Sequence, residues 1–376
     1  MAEDLPEPDR IPGAPHPRET ARLFGQATAE AEFLNAHATG RLHHAWMLTG
    51  PRGVGKATLA WRIARFVLAT PEAGDGGLFG APPPPETLDI PDDHPVARRL
   101  RALAEPRAWL LRRGPNDKET ALSQFITVDE VRKMKSFFAL SAADGGARVA
   151  IIDSVDEMNT AAANALLKLL EEPPAGAIFL LISHQPARLL PTIRSRCREL
   201  RLAPLAPDAL SQALAQAGGA VDPQAQAALA ELGGGSVGEA FRLTNLDGLE
   251  TYAGLVALLG TLPRLDRARA LALAETAAAR GAGETFDLIL FLIDLFLARL
   301  ARAAATRETP PEAAPGEAAL FARLAPQSAA ARPWAELAQT LSLRARRGKA
   351  VNLDPAALLM DTLLKIDETA GLLAAR

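Results

Sequence analysis

The chain has 376 residues, a formal net charge of −3 and 48% hydrophobic residues. That length accommodates two or three domains with their own cores, and the charge excludes a globally basic nucleic-acid binder. A single cysteine, Cys197, excludes an internal disulfide and a four-cysteine zinc site and fits a reducing cytoplasm, and a lone tyrosine argues against a base-stacking platform.

Residues 1–17 are proline-rich and aperiodic and read as a flexible N-terminus, acidic rather than built like a signal sequence. Helical spacing runs from Gln26 to Ala38, and an apolar strand follows at Ala45-Trp46-Met47-Leu48. Then comes Gly50-Pro51-Arg52-Gly53-Val54-Gly55-Lys56-Ala57-Thr58, with a helix-forming stretch from Leu59 to Leu68. A glycine- and proline-dense stretch from Thr70 to Pro91 reads as a loop or insertion. A short helix from His94, a strand at Trp109–Arg112 and a helix from about Thr127 to Leu140 follow. Arg148–Asp153 is a strand ending in a carboxylate. Asn159 or Thr160 caps a helix over Ala161–Leu170, Ala177–Ile182 is a strand buried on both faces, and Arg198–Leu202 is the last strand.

After Pro204 only helices are predicted: Asp208–Gln216, one opened by Asp222-Pro223 and ending at Gly233, one from Ser236 to Leu243, then 249–259, 266–279, 284–305, 333–346 and 355–373. Phe286–Leu297 is the most apolar run. It is too short to span a bilayer and reads as a core helix, so no membrane association is expected. The expected plan is an α/β P-loop domain over 18–203, a small helical lid over 204–247 and an all-α C-terminal domain over 248–376.

Strand, glycine-rich turn, helix is the context of a phosphate-binding loop. Its backbone N–H groups and the helix N-terminus point at one anion, and Lys56 adds a full charge. The candidate nucleotide-binding residues are Gly50, Gly53, Gly55, Lys56 and Thr58, with Asp153 as the strand-end carboxylate. Ala57 stands where a hydroxyl ligates Mg²⁺, and Thr58 is one residue late. Ser154 follows Asp153 and cannot act as a base. His43 and His44, read as neighbours on one strand, point to opposite faces and make no metal pair; no metal site is expected.

Asn164-Ala165-Leu166-Leu167-Lys168-Leu169-Leu170-Glu171-Glu172-Pro173-Pro174, then Leu190-Pro191-Thr192-Ile193-Arg194-Ser195-Arg196-Cys197, resemble the clamp-loader branch of the AAA+ ATPases, as found in the bacterial DNA polymerase III holoenzyme. With the P-loop, these motifs cover about residues 40–202. The resemblance implies an AAA+ domain, a lid and a helical collar for oligomerisation. It makes Arg196 an arginine finger supplied in trans to ATP on the next subunit, and Ser183 the first sensor position. The implied partners are ATPase motor subunits and a delta-type wrench subunit, with the sliding clamp and primer–template DNA reached through the complex. Arg132, Lys133 and Lys135 are a candidate DNA-facing patch.

Three positions depart from the pattern. Ala57 and Ser154 are two, and Gly235-Ser236-Val237 is followed by Gly238 where an ATPase of the family places a sensing arginine. Removing one orienting group typically costs two to three orders of magnitude. The expectation is therefore a subunit with no ATPase activity of its own and no required cofactor, its degenerate loop being the only candidate site for ATP and Mg²⁺. The alternative is an active AAA+ ATPase, a motor subunit or related remodelling enzyme.

Overall fold

The computed structural model describes residues 7–11, 13–70, 85–116, 118, 120–139, 146–219, 222, 225–279, 281 and 283–375. The predictions for 1–6, 12, 71–84, Leu140 and Pro223 lie outside them. The chain divides into two compact units, Met1–Ala220 with Gly235–Gly238, and Val221–Gly234 with Glu239–Arg376.

The first unit is built on five parallel strands, β1 (Ala45–Thr49), β2 (Ala108–Arg112), β3 (Arg148–Asp153), β4 (Ala177–Ser183) and β5 (Arg198–Arg201), in the order β2-β3-β4-β1-β5. Every residue of β1 and β4, and all of β3 but Asp153, is buried. Apolar runs without alternation form such strands because helices cover both sheet faces. The helices are α1 (Ala27–Ala38), α2 (Lys56–Ala69), α3 (Pro95–Arg101), α4 (Val128–Ala139), α5 (Thr160–Glu171), the single-turn α6 (Pro191–Arg194) and α7 (Pro207–Gln216). Asn159 caps α5 by accepting from Ala162 N–H at 2.8 Å, which satisfies one orphan donor of the first turn.

The second unit contains α8 (Gln226–Gly233), most of α9 (Val237–Asn245), α10 (Gly248–Leu259), α11 (Arg267–Ala278), α12 (Gly283–Thr306), α13 (Glu317–Leu324), α14 (Ala331–Ala350) and α15 (Pro355–Ala374). Phe286, Leu292, Phe296 and Leu300 of α12 are buried in its core with Trp334 and Leu363. Among the described residues no helix is long and apolar enough to cross a membrane. The core also holds Glu317, 1% exposed. It accepts from Tyr252 Oη at 2.5 Å, Arg299 Nε at 2.9 Å and Ala313 N–H at 2.7 Å.

Three expectations need correction. The boundaries at 203/204 and 247/248 do not delimit the compact units. Gly235–Gly238 belongs with the sheet, because Val237 N–H donates to Gly53 O at 2.9 Å and Leu205 N–H to Gly235 O at 2.9 Å. α8 instead buries Leu229 and Leu232 in the core of the second unit. The described part of the N-terminal lead-in is not loose: His16 is fully buried, and its Nε2 lies 3.0 Å from an Asp9 carboxylate that is only 2% exposed. His43 and His44 precede β1 rather than alternating along it, and their rings stack at 4.3 Å.

Candidate nucleotide site and arginine edge

The glycine-rich loop leaves the carboxyl end of β1 and enters α2, as its spacing predicts. Gly55 is the left-handed residue before the helix (φ +100°), a conformation that costs little only without a Cβ. Gly53 has φ +74°, and a Cβ there would collide with Ser236 Oγ and meet Gly238 N at 2.8 Å. The loop is thus packed against the chain's own 236–238 segment.

Lys56 is 3% exposed, and its ammonium donates to Gly50 O at 2.7 Å and to Pro51 O. Burial lowers its pKa to about 8, opposed by the charges of Asp153 and Asp156. The amino group laces its own loop together. Ala57 and Thr58 are half-buried on the first turn of α2.

Asp153 ends β3 at the same edge. Desolvation, then the nearby Asp9 and Glu157 carboxylates, raise its pKa to about 7 against the pull of Lys56 and Arg52. Ser154 is buried, and its Oγ has no hydrogen-bond partner among the described residues. These residues keep the frame of a phosphate loop. Ala57 and Gly238 bring no polar side-chain atom to this edge, and Ser154 brings only a buried hydroxyl. Among the described residues no cluster of His, Cys, Asp or Glu could hold a metal ion.

Two residues at this edge were not singled out from sequence. Asp156 orders the end of β4: it accepts from Ser183 Oγ at 2.8 Å, His184 N–H at 2.5 Å and Gln185 N–H at 3.3 Å. Ser183 is thereby committed to a local bond. His184 is held neutral, its pKa pushed down to about 4 by burial and by the charges of Lys56 and Arg52. Neither has a local motif; both are brought in by the return of β4 beside β3.

Arg196 lies at the opposite edge. β5 runs parallel to β1 with Arg198 opposite Trp46, so the Ser-Arg-Cys segment precedes the strand at its amino end. Gly50 is four residues beyond Trp46, about 13 Å of strand rise, and Arg196 is two residues before Arg198. Its guanidinium donates to Thr192 O at 2.9 Å and pairs with Glu171 at 2.8 Å, with a third of the side chain exposed. Arg198 pairs with Glu32 at 3.2 Å and lies over the Trp46 ring at 5.0 Å, whereas Arg194 is exposed. The Cys197 thiol is pushed up to about 12 by burial and is no nucleophile at neutral pH. On α4, Arg132 and Lys133 pair with Asp129 and Glu130, each at 2.7 Å.

The first unit is thus a parallel α/β sheet with a P-loop at the carboxyl end of β1, a Ser-Arg-Cys segment before β5 and helices on its faces. Residues 97–206 match the family described as "DNA polymerase III, delta subunit". The chain is 38% identical over 154 residues, 41% of each protein, to DNA polymerase III subunit delta′ of Pseudomonas aeruginosa. It is 33% identical over 172 residues to delta′ of Escherichia coli, 45% of each. It is also 30% identical over 268 residues to the Escherichia coli tau subunit, 69% of this chain and 38% of tau. The chain thus spans less than half the length of these relatives. A solved gamma subunit-related protein of Thermotoga maritima aligns over 90% of this chain and 99% of its own at 17% identity, with a TM-score of 0.35. The chain is delta′-like, its similarity running to proteins named as delta′ and tau subunits of DNA polymerase III.

Proposed function

We propose that this protein is a non-catalytic subunit of a DNA polymerase III clamp loader, lending Arg196 in trans to ATP bound by a neighbouring subunit. The observation that carries the reading is the opposition of the two edges. Arg196 sits at the amino end of the parallel sheet and the P-loop at the carboxyl end, so Arg196 cannot serve its own loop. A guanidinium held by Thr192 O and Glu171 keeps further N–H donors for an anion brought by another chain.

In this reading ATP and Mg²⁺ are not required at the degenerate loop, and Gly50, Gly53, Gly55, Lys56, Thr58 and Asp153 act as frame. The helical C-terminal unit joins the chain to motor subunits and a delta-type subunit. The sliding clamp and primer–template DNA are engaged through that complex. The similarity to tau favours a second reading, a motor subunit with its own turnover; Ala57, Ser154 and Gly238 oppose it.

The test is Arg196→Ala in a reconstituted loader. Assembly stays intact, and single-turnover hydrolysis at the interface Arg196 serves slows by about 10³, the low end of what an arginine finger contributes. Unchanged clamp- and DNA-stimulated ATPase activity refutes the finger role. Mg²⁺-dependent turnover by the isolated chain, abolished by Lys56→Ala, favours the motor reading instead.

A further inference from the structure

The lead-in segment, aperiodic in sequence, lies along the edge that carries the P-loop. Arg112, the last residue of β2, donates through Nη1 to Asp9 Oδ1 at 2.5 Å and to Glu7 Oε1 at 3.2 Å. Arg18 donates to the same Glu7 oxygen at 2.7 Å. Asp9 Oδ2 faces His16 Nε2 at 3.0 Å. His16 Nδ1 accepts from Arg18 N–H at 3.0 Å, which leaves its proton on Nε2, the nitrogen that lies 3.0 Å from Asp9. The His16 ring also meets the edge of Trp61 on α2, centroids 6.1 Å apart.

Between these anchors, Ile11 reaches the loop itself. A Cβ on Gly238 would meet Ile11 Cδ1 at 2.8 Å and Gly53 Cα at 3.5 Å. The Ile11 side chain therefore covers the junction of the P-loop with the 236–238 segment, while Asp9 is near enough to Asp153 to help raise its pKa. In parallel α/β sheets ligands enter the crevice at the carboxyl ends of the strands. Here Asp9 and Ile11 lie at that end of the sheet.

We propose that residues 7–11 with 13–16 are a built-in occupant of the P-loop crevice, anchored by Asp9 and Glu7 on Arg112 and by His16 on Trp61, and that this seating excludes nucleoside triphosphates. Shape carries the exclusion: Asp9 and Glu7, held by Arg112 and Arg18, and the Ile11 side chain occupy the space beside the loop. Asp9 is buried, and a buried carboxylate is tolerated only while its partners hold it; withdrawing the segment means separating Asp9 from both Arg112 and His16. The proposal is independent of the finger role of Arg196, which concerns the other edge.

The experiment compares the full chain, a chain lacking residues 2–11, and the double substitution Asp9→Ala with Ile11→Gly, which leaves His16 and Arg112 in place. Binding of a fluorescent ATP analogue with Mg²⁺ is read by anisotropy and folding by circular dichroism. Both altered chains are expected to bind at least about tenfold tighter than wild type, and Lys56→Ala added to them removes the gain. The proposal is overturned if a folded variant binds no tighter than wild type, or if the gain survives Lys56→Ala. Amide hydrogen exchange of the wild-type chain reads the seating without any variant. Protection of residues 7–11 and 13–16 supports it, and exchange at the rate of a free peptide overturns it.

Discussion

Asp153→Asn isolates what the strand-end carboxylate costs this protein. Its pKa is raised from an ordinary 3.8 to about 7 by desolvation and by the Asp9 and Glu157 carboxylates. A carboxyl with a raised folded-state pKa binds its proton more tightly in the folded than in the unfolded chain. Its contribution to stability is fully present below about pH 4 and is lost as pH rises through 7. At about 1.4 kcal/mol per pH interval, the carboxylate costs about 4 kcal/mol at pH 8. Asparagine keeps the shape and removes the ionisation, although it also gives up the attraction to Lys56 and Arg52 already counted in that pKa. Asp153→Asn is therefore expected to match wild type at pH 4 and to exceed it at pH 8 by up to about 4 kcal/mol. Urea titrations at the two pH values, followed by fluorescence, measure this; Trp46, Trp61 and Trp109 all lie in the P-loop unit. A variant no more stable than wild type at pH 8, or a difference independent of pH, refutes the reasoning.

Two further perturbations address the Arg196 edge and the C-terminal core. Glu171→Ala in the assembled loader removes one of the two bonds on the Arg196 guanidinium. An exposed pair contributes up to about 1 kcal/mol, so ATPase activity falls by about two- to fivefold with Arg196 present and does not fall further in the Arg196→Ala background. Equal effects in both backgrounds show that Glu171 does not act through Arg196. Glu317→Ala leaves Arg299 and Tyr252 without their shared buried acceptor; Glu231 still reaches Arg299 at 2.9 Å, so the cost is about 3 kcal/mol, the lower end for a broken buried pair. A thermal melt showing less than about 1 kcal/mol would remove Glu317 from the account of core stability.

The sheet was legible because β1, β3 and β4 are uninterrupted apolar runs, and the P-loop because its glycines and lysine keep a local spacing. What escaped was fixed by partners distant in sequence. α13 begins on Glu317, which reads as a surface charge until Arg299 and Tyr252 are brought to it. Asp156 reads as loop until β4 returns beside β3 and offers Ser183, His184 and Gln185 as donors. The lead-in has neither helical nor strand periodicity, and its order comes from Arg112, about a hundred residues away. In the candidate site, the identities of Ala57, Ser154 and Gly238 were legible one by one, whereas the burial of Lys56 and its turn onto Gly50 O and Pro51 O were not.

The register of β1 and β5 joins these observations. At the carboxyl edge, Lys56 satisfies two loop carbonyls, Val237 N–H satisfies Gly53 O, and the would-be Cβ positions of Gly53 and Gly238 are filled by the chain itself. That edge is held by internal contacts and requires no phosphate to keep its shape. β1 carries the rigidity through the sheet to β5, where Arg198 is fixed on Trp46 and Glu32 two residues after Arg196. A guanidinium aimed at another chain's nucleotide is effective only if its base does not move. In the finger role proposed for Arg196, a P-loop frame closed by the chain's own atoms is suited to that task.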